Sequence, residues 1–181
     1  MGPFPSGESV LVVTDYYSRY VEAEVLKSTI TSKVLEKLDC IFATHGLPRS
    51  ITSENVPQLK STEFKQYLGE NGIQHRRVTP LWPAANCQVE RQNRTLLKGI
   101  RTAVTQGRDW KRDLPWILFA YRNTPHAVTG KSLPEMLFGR KIRTKLSEIK
   151  DFDKEDTETR DRDVFQKYKE KEYADVQRNA H

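Results

Sequence analysis

Cysteine is scarce in this sequence: Cys40 and Cys87 are the only two, and no Cys-x-x-Cys pair occurs. That excludes a disulfide framework and a cysteine-based structural zinc site. Long apolar runs are also missing, and none approaches the roughly 18 residues a membrane span needs. Met1-Gly2-Pro3-Phe4-Pro5 lacks the basic and apolar regions of a signal peptide, so neither secretion nor membrane insertion is expected. There is no phosphate-cradling loop, no dinucleotide glycine fingerprint, no Gly-x-Ser-x-Gly and no His-Glu-x-x-His, so no small-molecule cofactor is expected. The four histidines, His45, His75, His126 and His181, fall at no ligand spacing. No internal repeat is visible.

What the chain does have is charge. Of its 181 residues 36% are hydrophobic and 30% charged, and 30 Lys and Arg against 24 Asp and Glu leave a net charge of +6. The composition is polar yet globular, and the excess of base points to an anionic partner such as nucleic acid. The excess is uneven. Residues 150–181 hold ten acids and eight bases, which leaves 22 bases and 14 acids in residues 1–149. The body is basic. The tail, alternating Lys, Glu, Asp and Arg, reads as a solvated helix or a disordered extension. A domain boundary is therefore placed near Ile149, with a core at 1–149 and a charged C-terminal extension at 150–181.

The β-branched run at 9–15 predicts a buried strand, and the alternation at 20–26 a half-buried one. The short link Tyr16-Tyr17-Ser18-Arg19 joins them as an antiparallel hairpin. Val34, Leu35, Leu38, Ile41 and Phe42 mark a helix at about 31–44, with Thr31 or Ser32 as its cap and Gly46 and Pro48 as its stop. A short strand at 50–53, a helix at 62–71 and a strand at 74–79 follow. The longest helical signal covers about 86–106, with Val89, Leu96, Ile100, Ala103 and Val104 as its apolar stripe. Further helices are predicted at about 110–122 and 132–138. This order implies an α/β layer fold, with helices flanking a mixed sheet.

Three acids sit at element ends: Asp15, Glu54 and Glu90. Carboxylates converging from separate elements can hold Mg²⁺, a hard ion that prefers oxygen. Two such ions clamp the attacking and leaving oxygens in phosphoryl transfer. Each acid also has a plain structural reading: Asp15 caps a turn, Glu54 is a solvated loop acid, and Glu90 favours the helix dipole and pairs with Arg94. Along the long helix, Arg91, Arg94, Lys98, Arg101 and Arg108 recur at near-helical spacing beside the apolar stripe. Such a row can track a phosphate backbone or form a solvated helix face.

Ser53-Glu54-Asn55-Val56-Pro57-Gln58-Leu59 resembles the Ser/Thr-Asp-Asn-Gly-Pro-Gln-Phe motif of retroviral and retrotransposon integrase catalytic cores. The segment from Thr79 to Leu96, with Asn86, Glu90, Arg91 and Asn93 in register, resembles their Pro-x-x-Pro-Gln-x-Asn-Gly-x-x-Glu-Arg-x-Asn-x-x-Leu segment. Tyr121-Arg122-Asn123-Thr124-Pro125-His126 and Pro134-Glu135-Met136-Leu137-Phe138-Gly139-Arg140 are similar to signatures of Ty3/gypsy-type elements. The resemblance spans residues 2 to about 146. It implies a ribonuclease-H-like fold, and Mg²⁺- or Mn²⁺-dependent DNA strand transfer by an Asp, Asp, Glu triad. It further implies DNA as partner, self-association into a homo-oligomer, and an intracellular, nuclear setting.

Carried over residue by residue, Glu90 matches the third acid and Glu54 the second, so these two are the candidate catalytic and metal-binding residues. Arg91, Arg94, Lys98 and Arg101 are the candidate DNA-binding residues. The first acid of the family would fall just ahead of Met1. Asp15 matches a different, hairpin Asp of the family and is set aside. Glu54 is longer than Asp by about 1.5 Å, one C–C bond. Val56 replaces a Gly that can need positive φ, Cys87 replaces a second Gly, and Ala84 a Gln. The expectation is an integrase core with impaired chemistry. The alternative is a catalytically silent, domesticated or decayed remnant that only binds nucleic acid or self-associates.

Overall fold

The computed structural model describes residues 1–77, 87–126, 129–145, 164–165, 168–169 and 172, with the backbone alone for 87–88. Strands β1 (Ser9–Thr14) and β2 (Val21–Leu26) form an antiparallel hairpin in which Val10 faces Val25 and Val12 faces Ala23. Arg19 closes its turn with φ 65°. Helix α1 (Thr31–His45) follows, then β3 (Ser50–Ser53), a single turn α2 (Pro57–Lys60), α3 (Thr62–Glu70) and β4 (Gln74–Arg77). Strands β3 and β4 pair in parallel, Ile51 opposite His75. Helices α4 (Cys87–Thr105), α5 (Trp110–Asn123) and α6 (Leu133–Phe138) complete the order. The expected single mixed sheet is thus, among the described residues, two two-stranded sheets, one antiparallel and one parallel.

Period-two alternation decides what covers the hairpin. On one face Val10, Val21 and Ala23, with half-buried Val12 and Val25, pack against Leu96, Ile100 and Ala103 of α4 and Trp110, Leu114 and Leu118 of α5. On the other, Leu11, Val13 and Leu26 meet Val34, Leu38, Ile41 and Phe42 of α1 and Phe64 and Leu68 of α3. Glu22 and Glu24 share this second face and reach α1, where they pair with His45 at 2.8 Å and Lys37 at 3.0 Å. Helix α4 crosses α5 closely at Gly99, where a Cβ would come within 2.7 Å of Ile117 Cγ2.

Two polar ties hold α5 in place. The Arg122 guanidinium donates to the Val21 carbonyl oxygen at 2.9 and 2.6 Å, donates to the Glu22 carboxylate at 2.6 Å, and lies 4.5 Å over the Tyr20 ring. At the other end Lys111 donates to the Glu8 carboxylate at 2.7 Å. That ion pair, above all, holds the Glu8 carboxyl down to about 2.

Several local expectations are corrected. Thr31 and Ser32 do not cap α1; the cap residue is Ile30, without a side-chain hydrogen bond. The Thr31 hydroxyl instead bonds the Gln58 carbonyl and the Ser61 hydroxyl, which ties α1 to the α2–α3 corner. Val104 is 52% exposed, and the buried side of α4 continues through Gln92. Val56 sits at φ −81°, so no positive φ is needed there. Residues Met1–Arg143 form one compact unit and Thr144–His181 another; the boundary placed near Ile149 lies outside the described residues, as does residue 84. Within the second unit, Lys169 lies 4.7 Å over the Phe165 ring.

Leu96 has 0% exposure, so Leu96→Ala is expected to cost about 2–5 kcal/mol, read as a fall in Tm in thermal melts. Val104→Ala, on the exposed side of the same helix, stays within about 0.5 kcal/mol. In a carboxyl NMR titration Glu8 remains ionised until about pH 2. Its contribution to stability is therefore present above the ordinary carboxylate range and lost as pH falls through that range toward 2. Lys111→Ala is expected to return the midpoint toward 4.5.

Candidate nucleic-acid interface and acid pair

Glu54 follows β3 directly and is exposed. The exit of β3 is held by Ser53, 7% exposed, whose hydroxyl lies 2.8 Å from His75 Nε2 on β4 and 3.3 Å from the Glu54 carbonyl oxygen. Burial, with Arg77 and Lys65 nearby, lowers the His75 pKa. The charge of Glu54 reaches the Met1 ammonium, raising an affinity for protons that burial lowers more strongly.

Glu90 stands in the first turn of α4, exposed, with its carboxylate 3.9 Å from Arg94. Two residues on, Gln92 does what no motif announced. It is 3% exposed. Its amide accepts from the Thr14 hydroxyl at 2.9 Å and donates to the Arg19 carbonyl oxygen at 3.2 Å. One side chain thereby hangs the start of α4, and Glu90 with it, on both ends of the hairpin turn. A Gln in a charged helix carries no signal of this, because its partners are 73 and 78 positions away. Asn93, on the same side of α4 as Leu96 and Ile100, has a buried Oδ1 without a hydrogen-bond partner among the described residues.

Asp15 proves to be a turn cap. Its carboxylate accepts from the Ser18 amide at 2.7 Å and the Ser18 hydroxyl at 2.6 Å. Among the described residues no group of three or more His, Cys, Asp or Glu converges to hold a metal ion. Glu54 and Glu90 are oxygen donors suited to Mg²⁺ or Mn²⁺, but two exposed carboxylates do not make the ligand set such ions need.

The basic row is on the surface. Arg91, Arg94, Lys98 and Arg101 are exposed, and Arg94, Lys98, Arg101, Thr102, Thr105 and Gln106 line a shallow open groove along α4. At 1.5 Å rise per residue the row from Arg91 to Arg101 is about 15 Å long, enough to follow roughly four phosphates of one strand. Arg108 leaves the row: it binds Asp113 at 2.6 Å beyond the helix end. Among the described residues no helix is long and apolar enough to cross a membrane.

Residues 3–83 match the integrase core domain family. Over 147 residues the chain is 37% identical to the uncharacterized protein K02A2.6 of Caenorhabditis elegans, covering 81% of this chain and 12% of that protein. It is 34% identical to the Pol polyprotein of feline endogenous virus ECE1 (72% of this chain, 13% of the relative). It is 33% identical to that of radiation murine leukemia virus strain Kaplan (72% and 23%). The chain thus spans less than a quarter of the length of these relatives. Among solved structures it resembles a simian T-cell lymphotropic virus intasome in complex with a PP2A regulatory subunit, with a TM-score of 0.64 at 19% identity over 80% of this chain and 57% of that one. It also resembles the HTLV-2 integrase catalytic core domain in complex with magnesium, in trimeric form, with a TM-score of 0.59 at 15% identity over 72% and 93%. These neighbours give the fold: the ribonuclease-H-like core of integrases.

Gln92→Ala removes both ties between α4 and the hairpin turn. It is expected to cost about 1–3 kcal/mol and to speed amide hydrogen exchange in the first turns of α4 more than in its last. Uniform acceleration along α4 would show that Gln92 does not anchor the helix start.

Proposed function

Because the chain carries an integrase catalytic core of retroviral type, we propose that it is the DNA-engaging core of a retroelement integrase, binding duplex DNA along α4 for integration by polynucleotidyl transfer. The observation that carries this is the exposed row Arg91, Arg94, Lys98 and Arg101 on the helix that bears Glu90. Among the described residues only Arg94 of the four is in an ion pair, and that pair, at 3.9 Å and largely exposed, is weak. Released counterions would drive binding, and contacts of this kind position the duplex without reading its sequence. Glu54 and Glu90 would each offer carboxylate oxygens to Mg²⁺ or Mn²⁺, which needs further ligands beyond these two.

The same reading makes the chain, as it stands, a poor catalyst. Glu54 is a Glu in a place suited to Asp, and its side chain is longer by about 1.5 Å, one C–C bond. Reactive groups misplaced on this scale lose much of their rate. Binding without turnover therefore fits the residue inventory better than efficient strand transfer, which favours the silent DNA-binding reading over the active one. Assembly into a homo-oligomer and a nuclear location complete the proposal; the trimeric and intasome forms of its structural neighbours support the first.

Fluorescence anisotropy with a labelled duplex tests the binding. Affinity is expected to fall linearly in log–log form with salt. The Arg94→Ala/Lys98→Ala/Arg101→Ala triple variant should reduce the slope by about 3, near 0.9 per lost phosphate contact. An unchanged slope would remove α4 as the DNA face. In a strand-transfer assay with Mg²⁺ or Mn²⁺ little or no product is expected. Efficient turnover abolished by Glu90→Gln would instead make the chain a complete enzyme.

A further inference from the structure

The turn between β1 and β2 carries two large side chains that the core does not use. Tyr16 is 83% exposed and Tyr17 75%, more than any other aromatic residue among the described ones. The backbone that holds them out is fixed. The Asp15 carboxylate accepts from the Ser18 amide at 2.7 Å and the Ser18 hydroxyl at 2.6 Å. The Asp15 amide donates to the Tyr20 carbonyl oxygen at 2.9 Å, and the Arg19 amide donates to the Asp15 carbonyl oxygen at 2.9 Å. The Tyr20 amide donates to the Ser18 hydroxyl oxygen at 3.2 Å. Two aromatic rings are thus held in water on a turn whose polar groups are satisfied.

Arg19 adds a cation to them. Its φ of 65° lies in the left-handed region, where Gly is the relaxed choice. An Arg at this position costs backbone energy, and its side chain is put to use: the guanidinium lies 4.8 Å over the Tyr16 ring. At 83% exposure the opposite face of that ring is open. The turn is also fastened to the basic row. Gln92 accepts from Thr14 and donates to the Arg19 carbonyl oxygen, one residue on from exposed Arg91 and about 100° round the helix from it. The turn itself is Asp15, Tyr16, Tyr17, Ser18 and Arg19, with no aliphatic residue to rim an apolar protein contact. Open aromatic faces beside cations in a polar setting match a single nucleic-acid strand, whose bases stack and whose phosphates pair with Arg.

We infer that the β1–β2 turn is a stacking platform for unpaired DNA bases. The inference rests on DNA binding along α4 and extends it. A strand that leaves the duplex at the Arg91 end of the row crosses the turn, with bases stacked on the open face of Tyr16 and on Tyr17 and a phosphate near Arg19 and Arg91. A paired base keeps its faces inside the duplex stack and offers nothing to either ring. The turn therefore reads whether a strand is paired, and the row on α4 supplies the charge. Every base has a π-face, so the platform is tolerant of sequence. The two sites divide the work by strand state, and Gln92 is the joint between them.

The test compares the affinity of the full 181-residue chain for a labelled blunt duplex and for the same duplex with a short oligothymidine extension, placed on either strand in turn. The better of the two extended duplexes is expected to bind at least about fivefold more tightly than the blunt one, the gain that a single stacked base gives. Tyr16→Ala/Tyr17→Ala is expected to bring that ratio to about one while blunt-duplex affinity stays within about twofold, because the pair makes no contact with paired bases. Tyr16→Phe/Tyr17→Phe keeps the rings and is expected to keep the ratio. The tyrosines are exposed, so both variants are expected to melt as the unaltered chain does. A ratio of one in the unaltered chain, or a ratio that survives the Ala variant, would overturn the platform. Loss of the ratio in the Phe variant would assign the effect to the phenol groups and also overturn stacking. The blunt duplex separates the two sites: if it binds and the ratio is one, the α4 reading stands and the platform falls. If only the extended duplex binds, and through the tyrosines, the reverse holds; if neither binds, both fall.

Discussion

The β1–β2 hairpin is covered on both faces, and the rest of the molecule is arranged around that burial. A lone two-stranded ribbon is marginal in water. Here Val10 and Val21 are closed over by Leu96 and Ile100 from α4, while Leu26 is closed over by α1 and α3. The candidate acids and the basic row sit on elements whose positions this double burial decides. Glu90 stands where it does because Leu96 and Ile100, further along the same helix, are locked onto the hairpin.

Packing alone would leave α4 and α5 able to slide, since apolar contact has no direction. Direction comes from a few polar ties across long sequence separations. Gln92 joins α4 to Thr14 and Arg19, and Arg122 joins α5 to Val21 and Glu22. Both act on backbone carbonyls as well as side chains, so they read the course of the chain rather than its composition. The candidate DNA-binding residues Arg91, Lys98 and Arg101 make none of these ties among the described residues. Stability and the candidate DNA face are therefore carried by different sides of α4.

Much of this was legible residue by residue. The hairpin, α1, α3, α4, α5 and α6 all lie within a residue or two of their expected spans, because each has a strong period and a stop such as Gly46 or Gly72. Arg94 and Glu90 were expected to pair from i, i+4 spacing, and they do, loosely. Misreadings occurred where a side chain had a distant partner. Thr31 looked like a cap and is a tie to the α2–α3 corner. Val104 looked like core by spacing, but the hairpin does not reach it. Arg108 looked like part of the basic row, and Asp113 claims it.

The sequence by itself determined the order of elements, the basic character of the body, the family resemblance and the identity of the acids and bases on offer. Those are properties of periodicity, composition and local motif, and they need no knowledge of what lies next to what. Only the tertiary structure decided that Asp15 is spent on a turn and that Gln92 orients α4. Both depend on hydrogen bonds whose partners are set by the fold. Burial makes such bonds costly to leave unmade, yet nothing in the local sequence records where they go.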